Sequence, residues 1–123
     1  MNRLIKLCRP IASALVLVFA AVPSALAHAH PMVMKPAPDS TVPAPISISI
    51  SFSEAVEPKF SSIQLTDEKG KSVDSEASRP KPNDPKTLIL AVPKLTAGTY
   101  FVHWANVAVD GHRLEGSYKF TVQ

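Results

Sequence analysis

The sequence predicts an all-β domain, either a Greek-key β-barrel or an immunoglobulin-like β-sandwich, of about seven strands. The clearest observation is that residues 46–52 alternate isoleucine or phenylalanine with serine, which is the two-residue period of a strand with one buried face. Similar short segments recur along the chain between proline-, glycine- and aspartate-rich turns. From Pro31 onward the chain shows almost no helical periodicity.

The first residues differ sharply from the rest of the chain. A basic amino-terminal stretch, an apolar run over residues 11–22 and a small-residue pattern at 25–27 together predict a cleavable signal peptide covering residues 1–27. The apolar run is shorter than the ~20 residues that a membrane-spanning helix needs. We therefore expect an exported protein, with His28 as the first residue of one mature domain, residues 28–123.

The net positive charge of the chain comes from the predicted signal peptide. That segment carries three of the thirteen Lys and Arg residues and none of the ten Asp and Glu residues, so residues 28–123 hold ten of each. A formally neutral domain gives no reason to expect a nucleic-acid partner, and we expect a monomer. The single cysteine also lies in the predicted signal, so a metal site in the domain would use histidine, methionine, carboxylates or the amino terminus.

The strands are placed by alternation and by turn signals. They are predicted at residues 32–34, 46–52, 60–66, 71–77, 87–92, 99–107 and 117–122. The segment 71–77 is predicted to be a polar edge strand that pairs back across the turn at 67–70, and 87–92 is predicted to be central. Residues 79–86 contain three prolines and are predicted to form an exposed loop.

Glu54 has the parity of the buried residues of the strand before it, but it lies just past Phe52, the last apolar residue. It should therefore lie at the rim of the sandwich. Many glutamates in such positions are solvated strand ends, so the residue alone does not indicate a site.

Asp110-Gly111-His112 admits two interpretations. It can be an ordinary Asp-Gly hairpin turn with an exposed histidine. Alternatively, the glycine lets the chain turn sharply, so that the carboxylate and the imidazole converge on one metal ion. If signal cleavage frees the amine of His28, that residue adds two nitrogen ligands. Such a nitrogen-rich set suits the tetragonal geometry of Cu(II) better than the tetrahedral geometry of zinc.

Several motifs occur together in a specific order along the chain. They are His28, the turn at 36–40, Phe52-Ser53-Glu54, Gly98-Thr99-Tyr100, Val102 with Trp104, Asp110-Gly111-His112, and Gly116 with Tyr118, Phe120 and Val122. With this combination the mature chain resembles the CopC family of periplasmic copper-resistance proteins. The resemblance implies a Greek-key barrel that binds Cu(II) through a histidine brace, with His28 (amine and imidazole), Asp110 and His112 as ligands. Glu54 matches an acid at the same strand end in the family and would hydrogen-bond to the amine or to bound water.

Two features depart from the family or compete with the brace. Some members carry a methionine-rich loop for Cu(I), whereas Met32 and Met34 are the only methionines after residue 27 and share the parity of core residues. Ala108 replaces a serine that is frequent in the family. His30 offers a rival Cu(II) site, made by the free amine, two deprotonated amides and its own imidazole, that needs no fold.

The function we expect is that of a periplasmic protein that sequesters or carries Cu(II) in copper homeostasis and resistance, and not an enzyme, with a CopD-type membrane importer as its partner. Two alternatives stay open at this point. Histidine braces also occur in copper oxygenases, although Asp110 would occupy a coordination position that such enzymes leave open. The third possibility is a metal-free adhesion or assembly sandwich.

Overall fold

The structure is a computed structural model that describes residues 28–123. These residues form one 3-10 turn, Pro58–Phe60, and eight strands: β1 (Pro31–Lys35), β2 (Thr41–Val42), β3 (Ser47–Phe52), β4 (Ser62–Asp67), β5 (Arg79–Lys81), β6 (Asp84–Ala91), β7 (Gly98–Val107) and β8 (Arg113–Val122). The strands make two four-stranded sheets, in the orders β1-β3-β6-β5 and β2-β8-β7-β4. The predicted all-β sandwich is confirmed. The predicted signal peptide lies outside the described residues, and no helix within residues 28–123 has the length and hydropathy of a membrane span.

The core lies between the two sheets, where the predicted alternation holds. Ile48, Ile50 and Phe52 of β3 are buried, whereas the serines between them face outward. They pack with buried residues of the opposite sheet, including Val102 and Phe120. Burying each such side chain contributes about 1.5–3 kcal/mol, so this alternation is the main determinant of the fold.

The predicted strand 46–52 starts one residue too early. Ile46 was expected to face the core with Ile48, but its side chain is 86% exposed. The reason is that β3 begins at Ser47, and Ile46 belongs to the proline-rich connection that precedes it.

Residues 71–77 do not form the predicted edge strand, because side chains satisfy the outer edge of β4. The main-chain N–H of Leu65 donates to Asp74 Oδ1 at 3.3 Å, and the N–H of Ile63 donates to Ser78 Oγ at 2.9 Å. With these two donors bonded, the segment crosses the edge as an irregular loop that makes one isolated bridge to β4.

The predicted loop at 79–86 is instead a short hairpin. Strand β5 pairs antiparallel with β6, from Lys81 opposite Asp84 to Arg79 opposite Ile89. Asn83, between the two strands, adopts a positive φ of 61°. Pro80 fits this arrangement because β5 is an edge strand, where a missing N–H donor costs little. The prediction that 87–92 is central is correct, since β6 lies between β3 and β5.

Strand β1 departs from the expected parity. Its register with β3 shifts between Pro31 and Val33, so Met32 is 67% exposed while Met34 is half-buried against the core. The prediction that both methionines have core parity is therefore wrong for Met32. Strand β2, only two residues long and parallel to β8, was not predicted.

One end of the sandwich brings distant parts of the chain together. The segment after β3 bonds to the end of β7, with Glu57 N–H donating to the carbonyl of Val107 at 2.8 Å and Val56 bridging Ala108. The described chain also begins at this end, where His30 pairs with Ser53. This rim, as far as the structure describes the chain, therefore holds residues 28–30, the end of β3 and the β7–β8 turn.

Trp104 packs across Gly116, its direct partner on β8. A Cβ added at Gly116 would lie 2.7 Å from Cζ2 of Trp104, which is closer than two non-bonded carbon atoms can approach. The indole ring also contacts Phe52, with ring centroids 5.7 Å apart. The absence of a side chain at Gly116 thus lets the tryptophan join the two sheets.

We predict that Gly116→Ala lowers the free energy of unfolding by about 1–3 kcal/mol, the usual cost of overpacking. Urea unfolding followed by circular dichroism measures the change. Ser117→Ala, at the exposed neighbouring position, is the matched control and should have little effect. Equal stabilities of the two variants would contradict the proposed packing.

Candidate metal centre

Asp110, Gly111 and His112 lie in a tight turn between β7 and β8. Gly111 donates its N–H to the carbonyl of Ala108 at 2.8 Å, and Ala108 donates to the carbonyl of His112 at 2.8 Å. Gly111 has a φ of 93°, a conformation that strongly favours glycine. The turn is also fixed from the side, because Val109 donates to the carbonyl of Ala55 at 3.3 Å.

The carboxylate of Asp110 holds His112 by two contacts. Asp110 Oδ1 accepts the main-chain N–H of His112 at 3.1 Å, and Oδ2 lies 3.1 Å from the imidazole Nδ1. The pKa of the Asp110 carboxyl is lowered, chiefly by the main-chain hydrogen bond. Burial opposes this shift, while the His112 side chain and the charges of His112 and His28 reinforce it. Asp110 thus favours the tautomer in which Nδ1 of His112 carries the proton. In that tautomer the lone pair of Nε2 is free to bind a metal ion.

His28 lies beside His112 although the two are far apart in sequence. Their imidazole centroids are 4.9 Å apart, with the rings at 85° to one another. The prediction that His28 and His112 belong to one site is therefore consistent with their positions. His112 is largely exposed, so the pair is accessible from solvent.

Four hydrogen bonds fasten the His28 segment to the rim. The main-chain N–H of Ser53 donates to the carbonyl of His30 at 2.8 Å. The Ser53 hydroxyl accepts the N–H of His30 at 3.0 Å and donates to the carbonyl of His28 at 3.3 Å. On the inner side, Asn106 Nδ2 donates to the carbonyl of Ala29 at 2.8 Å, and both Asn106 and Ala29 are 0% exposed. Residues 28–30 are thus a docked segment with one buried residue between two histidines.

His30 lies next to this pair but points to solvent. Its ring centroid is 6.0 Å from that of His28, and its side chain is exposed. Its main-chain N–H is engaged by Ser53 Oγ and by the carbonyl of His28, at 3.0 and 3.1 Å. The amide that the rival site would deprotonate is therefore already bonded to the protein.

Glu54 lies at the rim, as predicted from its parity. It is exposed and stands between Ser53, which binds His30, and Ala55, which binds Val109. Within residues 28–123 its carboxylate makes no hydrogen bond or ion pair. Its assignment as a partner of the amine or of bound water stays a prediction.

Across residues 28–123, no group of three His, Cys, Asp or Glu side chains is arranged to hold a metal ion. The side chains assembled here are two imidazoles and one carboxylate that contacts only His112. The third nitrogen ligand of the site would have to be the main-chain amine of His28, which exists only if the preceding peptide bond is cleaved.

His103 does not belong to this centre. It lies on the outer face of β7, exposed, with its Nε2 3.0 Å from the hydroxyl of Thr66. The prediction that it is a solvated or packed residue is confirmed.

Sequence reasoning did not identify Ser53 or Asn106 as contributors to the site. Ser53 was noted only as part of a motif. Asn106 offered one signal: a buried-face position of β7 that carries a polar amide where Tyr100 and Val102 carry apolar groups.

Comparison with known proteins gives a consistent family. The model of the CopC domain family matches residues 32–123, beginning just after the docked segment. Copper resistance protein C of Xanthomonas campestris pv. juglandis is 38% identical over 123 residues, covering 94% of this chain and 97% of that protein. The crystal structure of CopC from Methylosinus trichosporium OB3b superposes with a TM-score of 0.73 at 35% identity, covering 78% of this chain and 94% of that one.

One longer relative matches this chain over part of its own length. Copper transport protein CutJ of Bacillus subtilis is 30% identical over 101 residues, which cover 80% of this chain but only 19% of that protein. The family match over residues 32–123, the full-length relative and the superposed structure agree, and the chain belongs to the CopC family.

Proposed function

We propose that this chain is a periplasmic copper carrier that binds one Cu(II) ion at the rim through His28, Asp110 and His112. Copper is the cargo in this proposal and not a catalytic cofactor. The observation that carries the proposal is the approach of a half-buried and an exposed imidazole, His28 and His112, whose ring centroids lie 4.9 Å apart although the residues come from opposite ends of the described chain.

The donor set suits Cu(II). Imidazole nitrogens and a carboxylate oxygen are ligands that favour this ion in a tetragonal arrangement. The pair of imidazoles supplies two donors, and cleavage before His28 would supply the amine as a third. The amine and imidazole of one residue form a chelate ring, which holds the ion with little further ordering of the chain.

The docked state of residues 28–30 supports the brace over the rival peptide site. That rival needs the amide nitrogens of Ala29 and His30 as ligands. Ala29 is buried, and the N–H of His30 donates to Ser53. Forming the peptide site would therefore require residues 28–30 to leave the rim and break these hydrogen bonds.

The partner we propose is a membrane copper importer of the CopD type. In the relative CutJ, a domain like this chain makes up about a fifth of a copper transport protein. Such a fusion indicates that the domain and a transport function can act together. The exposure of His112 would let a partner's ligands reach the ion during transfer.

A domain that retains Ala27 ahead of His28 should bind Cu(II) far more weakly than one that begins at His28. The extra residue converts the amine into an amide and removes both the third nitrogen and the chelate ring. We expect a loss larger than the ~10–100-fold that removal of an outer hydrogen-bond partner costs. Competition against a chromophoric chelator measures the dissociation constant. Full affinity in the extended protein would rule out the brace.

His112→Ala should weaken Cu(II) binding strongly in the domain that begins at His28, because it removes one of the two imidazole ligands. His103→Ala is the matched control, since it removes an exposed histidine on the neighbouring strand. It should leave the dissociation constant unchanged. If the two variants bind alike, His112 is not a ligand.

Asp110→Asn separates coordination from orientation of the imidazole. The amide oxygen can still accept a hydrogen bond from His112, but the anionic oxygen ligand is lost. We expect weaker binding and an altered Cu(II) electron paramagnetic resonance spectrum. An unchanged spectrum and affinity would mean that Asp110 only orients His112.

A further inference from the structure

Asn106 places a side-chain amide on the inner face of β7, among side chains that are mainly apolar. Tyr100 and Val102 fill this face with apolar groups, and Leu114 lies directly opposite Asn106 on β8. Asn106 nevertheless places a side-chain amide at 0% exposure. Burial of an amide is unfavourable unless hydrogen bonds replace those it makes with water.

The amide of Asn106 is only half satisfied. Its Nδ2 donates to the carbonyl of Ala29 at 2.8 Å, across 77 residues of sequence. Its Oδ1 accepts no hydrogen bond from residues 28–123. The orientation of the amide is fixed by its partner, because a carbonyl oxygen must face the NH₂ group. The one hydrogen bond that the side chain of Asn106 makes is therefore directed at Ala29, the residue between His28 and His30.

The position of this bond matters for the choice between the two copper sites. The brace uses His28 together with His112 and needs residues 28–30 to stay on the rim. The peptide site uses the amide nitrogens of Ala29 and His30 and needs the same segment to rotate away. Anchoring the Ala29 carbonyl in the interior favours the first geometry and opposes the second.

We propose that Asn106 is a positioning residue that selects the coordination mode of Cu(II). It keeps residues 28–30 docked for the brace and prevents them from wrapping around the ion as the peptide site. This rests on the proposed Cu(II) function. Ser53 acts in the same direction from the outer side, through the two bonds that its hydroxyl makes to His28 and His30. Without these anchors, the same three residues become a local chelator, which releases two amide protons to solvent when it binds Cu(II).

The test asks whether Cu(II) affinity depends on His112 or on His30, first in the parent domain and then in an Asn106 variant. In the domain that begins at His28, His112→Ala should weaken binding and His30→Ala should not. In an Asn106→Leu background, which replaces the amide with an apolar group of similar size, this order should reverse. The Cu(II) electron paramagnetic resonance and visible spectra should shift at the same time toward those of a synthetic peptide with the sequence of residues 28–31.

Two further variants separate this role from a loss of folding. Leu90→Ala cuts a fully buried side chain on β6 and should lower the unfolding midpoint while leaving the dependence on His112 intact. Ser53→Ala leaves the core unchanged and should shift the spectra in the same direction as Asn106→Leu, to a smaller extent. If Asn106→Leu does not fold, the Ser53→Ala result decides, and an unshifted spectrum there overturns the proposal.

The outcomes distinguish this inference from the proposed function. If the parent domain does not depend on His112, the brace itself fails. If the parent depends on His112 and Asn106→Leu depends on it equally, with an unchanged spectrum, the brace stands and the role of Asn106 is refuted.

Discussion

Docking of residues 28–30 against the rim is the constraint on which the candidate site depends. His112 is held in place by its own turn and by Asp110, but His28 has no such local support. Its position follows from the bonds that Ser53 makes to His28 and His30 and from the bond that Asn106 makes to Ala29. The sandwich acts on the site through these bonds, since β3 carries Ser53 at its end and β7 carries Asn106 on its inner face.

The fold was largely predictable because burial imposes a strict period on its central strands. The Ile-Ser alternation of β3 and the alternation in β7 and β8 each require one buried face, and the structure has those faces in contact. The edges were not predictable in the same way. Residues 71–77 were expected to pair with β4, yet main-chain pairing stops after Val73, and the side chain of Asp74 provides the acceptor for the N–H of Leu65. Strand β2 is too short to show any period.

The candidate ligands could be proposed from the sequence, but the residues that hold the His28 segment in place could not. His28 and the Asp110-Gly111-His112 turn carry local signals, namely a cleavage pattern and a glycine that allows a sharp turn. Ser53 and Asn106 act through main-chain groups of a segment distant in sequence, and such pairings leave no local pattern. The same limit explains Met32, whose exposure results from a register shift and not from its position in the sequence.

The separation in sequence between the two halves of the site has a consequence for the order of assembly. Ala29 meets Asn106, and His28 meets His112, only after the intervening strands have paired, so these contacts are among the least local in the domain. Loops of that length close late and slowly compared with contacts between neighbours. In a chain that is still folding, His28 therefore has only the candidate ligands of residues 28–30 beside it, because its approach to His112 requires the completed sandwich. Under the proposed function, copper that arrives before folding is complete would therefore meet a different set of ligands from copper that arrives afterwards.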